Sequence, residues 1–329
     1  MKKVLNEVAN VVDEMCKGIA AANPDLTMDQ RYRVVMRREI DRNKVALISG
    51  GGSGHEPAHA GFVGKGMLTA AVCGDVFASP STMQVYNAIN KTRTEKGTLL
   101  IIKNYSGDCM NFDSASEMAE DDGVLVDKVY VNDDIAVEDS LYTVGRRGVA
   151  GTVLVHKIAG AAAEEGKDLA EVKRLALKAI ESVKSIGVAL TSCTVPAKGS
   201  PTFALAENEI EYGVGIHGEP GIERRKLVSS AELAADMVGR LLPETGLEKR
   251  DVCAVMVNGL GATPLMELYI QYHDVAKILE EMGIRIHRAF VGNYMTSLDM
   301  SGFSVTLLRL DDELIPLLDA PADTSAMKV

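Results

Sequence analysis

The sequence predicts an α/β protein of two domains, each a largely parallel or mixed sheet flanked by helices. Three observations predict it. The chain has 329 residues, which is about two domains at roughly 150 residues each. Short continuous runs of β-branched and other apolar residues recur, each followed by glycine or polar residues, as buried strands are. Helical patterns lie between many of these runs, and strands alternating with helices build sheets covered by crossover helices.

The elements follow in order. Leu5 to Ile19 carries apolar residues at helical spacing. Val45 to Ile48, Leu99 to Ile102, Val129 to Val131, Val188 to Leu190, Val252 to Val257 and Phe303 to Leu308 read as strands. Asp168 with Glu171 forms a capping-box-like start to a charged helix reaching about Ser185, with Gly187 just past its expected end. Thr263-Pro264 opens another helix with proline at its first position, and Gly283 closes it. The turn-rich stretch Pro196 to Pro201 then helps set the boundary near residue 185. The expected domains are 1–185, holding glycine-rich loops, and 186–329. No internal repeat has a fixed period.

Composition narrows the function classes. Apolar residues are 47% and charged residues 25%, as in ordinary globular proteins. The 30 glycines and 10 prolines form no low-complexity run, which argues against disorder. A net charge of −11 argues against binding duplex nucleic acid, which needs a basic face. Five cysteines, scattered and without CxxC, fit a reducing compartment. Glu7, Asp13 and Glu14 interrupt the apolar residues after Lys2 and Lys3, so no signal peptide is expected. No apolar run approaches the roughly 18 residues of a membrane span. The expectation is a cytoplasmic protein that binds neither nucleic acid nor membrane.

In open α/β sheets ligands bind beyond the carboxyl ends of strands, so the loops there carry the argument. Ser49-Gly50-Gly51-Gly52-Ser53-Gly54-His55-Glu56-Pro57 follows the first strand. Its glycines let backbone N–H groups approach a ligand, and Pro57 suits the first turn of a helix. Strand, glycine-rich turn and helix start would make an anion or oxygen site. It is no Walker loop: the Gly-Lys pairs, Gly64-Lys65 and Gly166-Lys167, are not followed by Ser or Thr. His55-Glu56-Pro57-Ala58-His59 matches H-E-x-x-H. A zinc site needs both histidines on one continuous helix, and a helix starting at Pro57 leaves His55 outside it. His59 is expected to be packed or on the surface, and no metal site is expected.

Lys103-Asn104-Tyr105-Ser106-Gly107-Asp108 offers a cation, an amide and a carboxylate at a strand end, the mixed set a small polyhydroxyl ligand needs. Gly213-Val214-Gly215-Ile216-His217-Gly218 matches G-x-G-x-x-G, but Glu219-Pro220-Gly221 follows at once and no helix is expected. His217, set among the glycines Gly215 and Gly218, is sterically open, and its neutral ring is able to attack a carbonyl. Asn258-Gly259-Leu260-Gly261-Ala262-Thr263-Pro264 reads as a tight turn and helix cap. Arg146-Arg147 and Arg224-Arg225 suit phosphate or a partner, but more simply solvent or ion pairs.

Taken in order, these loops are specific. Together with Ser140-Leu141-Tyr142-Thr143-Val144-Gly145-Arg146-Arg147-Gly148 and Thr296-Ser297-Leu298-Asp299-Met300-Ser301-Gly302-Phe303-Ser304, they make the chain resemble, over essentially its whole length, the K subunits of bacterial dihydroxyacetone kinases of the phosphotransferase-system type. The resemblance implies a two-domain α/β homodimer that binds dihydroxyacetone. It places the family's covalent histidine on His217, whose Nε2 forms a hemiaminal with the ketone. The second active-site histidine falls on His55 and the catalytic aspartate on Asp108. Substrate contacts fall on Gly52, Ser53, Gly54, His55, Lys103, Asp108 and His217. Whether His55 or Asp108 is the base is open at this stage.

The family's second K domain accounts for the residues after 185, which leaves no nucleotide domain in the chain. The resemblance therefore implies no cofactor here, with nucleotide and Mg on a separate L subunit that an M phosphocarrier subunit recharges from phosphoenolpyruvate. Two alternatives remain: a non-catalytic dihydroxyacetone-binding co-activator of a transcription regulator, and a kinase for a related sugar such as erythrulose. Retention of His55, Lys103 and Asp108 favours the kinase, because a sensor needs capture but not hydroxyl deprotonation.

Overall fold

The computed structural model describes residues 2–139 and 143–329. Its first half runs α1 (Val11–Ala22), β1 (Leu26–Asp29), β2 (Val34–Arg37), β3 (Ala46–Ser53), β4 (Gly64–Lys65), β5 (Ala70–Val76), α2 (Thr82–Thr92), β6 (Thr98–Lys103), α3 (Ser106–Asp121) and β7 (Val126–Val131). It continues through α4 (Gly151–Glu164) and α5 (Leu169–Ser182) to β8 (Val183–Ala189), β9 (Glu209–Tyr212), β10 (Glu223–Lys226), α6 (Ser230–Thr245), β11 (Val252–Gly259), α7 (Leu265–Glu281), β12 (Arg285–Gly292), β13 (Gly302–Leu310), α8 (Leu314–Asp319) and β14 (Asp323–Thr324).

Two six-stranded sheets result, ordered β1-β2-β5-β3-β6-β7 and β10-β9-β8-β13-β11-β12. The first is parallel across β5, β3, β6 and β7, with β1 and β2 added antiparallel. In the second only β11 and β12 are parallel. The sheet there is mixed rather than largely parallel because no helix lies between β12 and β13. Without a crossover the chain returns in the opposite direction.

Strand alternation explains how the layers stack. Leu99 and Ile101 face the middle of the molecule, while Leu100 and Ile102 face α2 and α3. Ala254 and Met256 face the same middle from the second sheet, while Cys253, Val255 and Val257 face α6 and α7. The sheets therefore enclose a shared layer of α4, α5 and α8, and nearly every residue of α4 is buried. Both faces of β6 are covered, so it reads as an unbroken apolar run.

The structure shifts three sequence expectations. The helix starting at Asp168, whose side chain accepts from Glu171 N, ends at Ser182. Gly187 lies inside β8, because from Val183 on the apolar residues alternate between the two faces: Val183 packs into the central layer, Ile186 and Val188 toward α6. β3 runs through the glycines to Ser53 rather than turning at Ser49. No α-helix starts at Pro57; one 3₁₀ turn, Ala60–Phe62, follows instead. Tertiary contacts win there: His59 is drawn inward onto Ser49 and His156, and Gly61 O accepts from Ala326 N at 3.0 Å. With no helix, the H-E-x-x-H geometry is lost.

Candidate functional site

The site forms where the carboxyl ends of β3 and β6 meet the loop after β9. At the end of β3 the chain turns through Gly54, with φ of +103°, and a Cβ there would stand 2.9 Å from the Phe77 ring. Only glycine fits that conformation and that neighbour. The turn aims His55 across the molecule, where its Nδ1 lies 2.8 Å from the Thr296 carbonyl and its own carbonyl accepts from Thr296 N at 3.1 Å. Lys103 ends β6, and Asp108 sits in the first turn of α3, where the helix dipole favours a carboxylate.

His217 comes from the loop between β9 and β10. Its Nε2 is 3.1 Å from His55 Nε2, and its Nδ1 is 3.0 Å from Glu219 Oε1. The His217 backbone N–H donates to Glu219 Oε2 at 2.9 Å. Phe77 stacks on the His55 ring with centroids 5.0 Å apart, and Tyr105 meets the His217 ring edge-on at 4.7 Å. A pocket of about 370 Å³ opens beside these rings, lined by Gly52, Phe77, Ser79, Tyr105, Asp108 and His217, among others.

Burial tunes the charged groups. Burial, Lys103 and His217 hold the His55 imidazole well below its usual value. Burial raises the Asp108 carboxyl, against the opposing pull of Lys103, Ser79 and His217. A carboxylate so raised is a better base than an exposed one. Burial also lowers the Lys103 ammonium, opposed by Asp108, Glu219 and Asp133. Burial alone would raise Glu219, but its electrostatic attraction to His217, the hydrogen bond between them and the Arg147 charge outweigh it and hold Glu219 at about 2. Lys103 Nζ is buried with no hydrogen-bond partner among the described residues. A donor left unpaired in the interior is costly unless a ligand or water meets it.

The structure thus brings Gly52, His55, Lys103, Asp108 and His217 together. Ser53 and Gly54 lie on the far side of the turn, where Ser53 Oγ donates to the Gly74 carbonyl at 2.7 Å. Sequence reasoning did not assign roles to Glu219, Phe77, Ser79 or Tyr105. Glu219, two residues from His217, had a signal, since a nearby carboxylate orients an imidazole; Phe77 follows a strand with no clear pattern. All four arginines of the two pairs are ion-paired: Arg146 with Glu244, Arg147 with Asp134, Arg224 with Glu211 and Arg225 with Asp236. Asn258 is structural, its side chain accepting from Tyr294 N and Met295 N. Ser140, Leu141 and Tyr142 lie outside the described residues. Among those described, no three His, Cys, Asp or Glu side chains converge to hold a metal ion, and no helix is long and apolar enough to cross a membrane.

The chain is 52% identical over 328 residues to the PTS-dependent dihydroxyacetone kinase 1, dihydroxyacetone-binding subunit DhaK, of Listeria innocua, covering 99% of this chain and 100% of that one. Its fold is similar to that of the dihydroxyacetone kinase operon co-activator Dha-DhaQ, with a TM-score of 0.91, 40% identity and 98% of each chain covered. It is also similar to the dihydroxyacetone kinase from C. freundii in complex with AMP-PNP and Mg²⁺, with a TM-score of 0.90 and 42% identity, covering 98% of this chain and 60% of that longer one. Residues 17–326 match the Dak1 domain, and the chain belongs to the Dak1 domain family.

Proposed function

We propose that this chain is the dihydroxyacetone-binding subunit of a phosphoenolpyruvate-dependent dihydroxyacetone kinase. The observation that carries the reading is the meeting of His217 and Asp108, from separate elements, at one pocket sized for a small ligand, with His55 Nε2 held 3.1 Å from His217 Nε2. In this reading His217 Nε2 attacks the ketone carbon and holds the substrate as a hemiaminal. That bond needs a carbonyl, so it selects ketones and aldehydes over glycerol more sharply than shape does. Lys103 and the Gly52 backbone face the bound triose. Covalent fixation aligns its terminal hydroxyl as a nucleophile. Asp108, raised by burial, takes the hydroxyl proton as phosphate is transferred.

The phosphoryl donor in this proposal is nucleotide with Mg on a separate L subunit, recharged by an M phosphocarrier. The likeness to a PTS-dependent dihydroxyacetone-binding subunit over 99% of this chain and 100% of that one supports this reading. The proposal includes a cytoplasmic homodimer and two domains dividing near residue 185. A second reading, a dihydroxyacetone-binding co-activator, is favoured by the likeness to Dha-DhaQ. Asp108 at the pocket, with the buried Lys103 charge near it, weighs toward the kinase.

The test is dihydroxyacetone phosphate formation by the purified chain under two conditions: ATP alone, or nucleotide-loaded L subunit, M subunit, general phosphocarrier proteins and phosphoenolpyruvate. Product only in the second supports the K-subunit reading. Product with ATP alone overturns the separate donor. No product in either, with ketone capture intact, moves the assignment to the co-activator.

A further inference from the structure

We propose that Val195, on the segment joining β8 to β9, sets the length of ketone this pocket captures, admitting the three carbons of dihydroxyacetone and disfavouring a fourth. The inference rests on the reading of His217 as the carbonyl nucleophile, with Asp108 at the terminal hydroxyl.

The lining of the pocket leads to it. Gly52 and Gly107 bring no side chain. Phe77 is stacked on His55 and Tyr105 stands edge-on to His217, so both rings are already engaged. Ser79 Oγ accepts from Asn111 Nδ2 at 3.3 Å. Asp108 and His217 meet the reacting atoms in this reading. Of the described residues lining the pocket, Val195 and Thr202 remain. Both belong to residues 190–208, a strap that forms neither helix nor strand.

Thr202 holds the base of the strap against the loop that carries His217. Its N–H donates to the Cys193 carbonyl at 3.0 Å, which closes the strap on itself. A Cβ at Gly218, next to His217, would stand 2.9 Å from Thr202 Oγ1. Cys193 Sγ lies 3.7 Å from that hydroxyl and accepts from Ser297 Oγ at 3.7 Å. Thr194 N donates to Asp299 Oδ1 at 2.8 Å. Val195 follows directly on this fixed base. Its carbonyl accepts from Lys198 N and Gly199 N at 3.0 Å each, so a turn closes over it. It precedes Pro196, which confines its backbone to extended conformations. Branching at Cβ confines its χ1. A side chain held in so many ways acts as a rigid gauge.

The gauge acts on one arm of the substrate. C2 of the captured ketone sits on His217, and one hydroxymethyl arm reaches Asp108, which belongs to the first sheet's side. The other arm turns toward the second sheet's side, where the strap leaves β8. In dihydroxyacetone that arm is a single CH₂OH. In a four-carbon 2-ketose such as erythrulose it is longer by one CHOH and meets the Val195 methyls. Those methyls neither donate nor accept, so the added hydroxyl loses its water without gaining a partner. One carbon of misfit in an apolar pocket is worth roughly tenfold or more in discrimination.

The experiment is ¹³C NMR of the full chain titrated with [2-¹³C]dihydroxyacetone and with [2-¹³C]erythrulose, reading the tetrahedral adduct of each. Wild type should favour dihydroxyacetone by roughly tenfold or more. Val195→Ala should narrow that preference by about fivefold or more while dihydroxyacetone capture stays within about twofold. Val195→Leu should widen it. The opposite signs mark a gauge, because a merely structural role would weaken both ketoses alike in both variants. Equal capture of the two by wild type, a preference unchanged in Val195→Ala and Val195→Leu, or equal weakening of both ketoses overturns the proposal. No adduct with either ketose, or an adduct persisting in His217→Ala, overturns the underlying nucleophile assignment instead.

Discussion

His59 Nδ1 lies 3.0 Å from His156 Nε2, and both rings are buried between the first sheet and α4. Burial, followed by the nearby Lys103 charge, holds both imidazoles below their usual value, His59 well below and His156 at about 3. Both rings are therefore neutral at pH 7. The sign follows from linkage: between about pH 6.5 and about pH 3 the unfolded chain binds more protons than the folded one, so stability is full above that window and is lost as pH falls through it. We expect the urea midpoint to drop between about pH 7 and about pH 5. His156→Gln, neutral throughout, should show a shallower drop. An equally steep drop in the variant would show that this ring does not titrate on unfolding.

Arg147 is fully buried and makes three attachments. It pairs with Asp134 at 2.7 Å, donates to the Gly213 carbonyl at 2.9 Å and reaches the Pro220 carbonyl at 3.5 Å. The last two anchor both ends of the loop that carries His217. Arg147→Met should cost on the order of 3–5 kcal/mol, because the buried Asp134 loses its counter-charge and keeps only the Ala136 N–H as a partner. Adding Asp134→Leu should recover much of that stability, since no unpaired charge remains. Ketone capture should not recover with it, because the loop carbonyls stay unanchored. Denaturant melts and the ¹³C adduct signal separate the two effects. Recovery of capture in the double variant would mean that Arg147 serves only the ion pair.

Asp108→Asn tests the base. The side chain keeps its size at the start of α3 but no longer accepts a proton. Dihydroxyacetone capture should stay within a few-fold of wild type, because His217 forms the bond. Turnover in the reconstituted system should fall by roughly 10²–10⁴, the usual worth of a general base. Normal turnover would move the base role to His55.

How much of this was legible depended on where each residue's constraint arises. Leu99 to Ile102 read as a strand because both faces are covered, which leaves an unbroken apolar run. β10, Glu223-Arg224-Arg225-Lys226, has no such mark: it is an edge strand exposed along most of its length, and its pairing with β9 is set by the sheet rather than by its own residues. β3 reads shorter in the sequence than it is, because glycine normally ends a strand, whereas here glycines extend it close to Phe77–Ala78 and Lys103. The resemblance supplied His55, Asp108 and His217 as a set. Nothing local links His55 to His217 across 162 positions. The role of Phe77 likewise exists only once the halves have met. Glu219 was the one unassigned site residue with a readable cue, its place two residues after His217.

Gly215 carries the last prediction, because its missing side chain leaves room for the group behind His217. A Cβ at Gly215 would stand 2.1 Å from Glu219 Oε2 and 2.7 Å from Arg147 Nη1. Neither atom has freedom to retreat: Glu219 is fixed by two bonds to His217, and Arg147 by Asp134 and the loop carbonyls. Gly215→Ala should therefore cost about 1–3 kcal/mol as an overpacked site, a modest loss for a chain of this size. Its effect on capture should be larger, since displacing the carboxylate removes the acceptor that fixes the His217 ring. The expected result is a folded protein whose ¹³C adduct with dihydroxyacetone is at least tenfold weaker. A variant that captures ketone as well as wild type would show that the Glu219 carboxylate can move without consequence for His217.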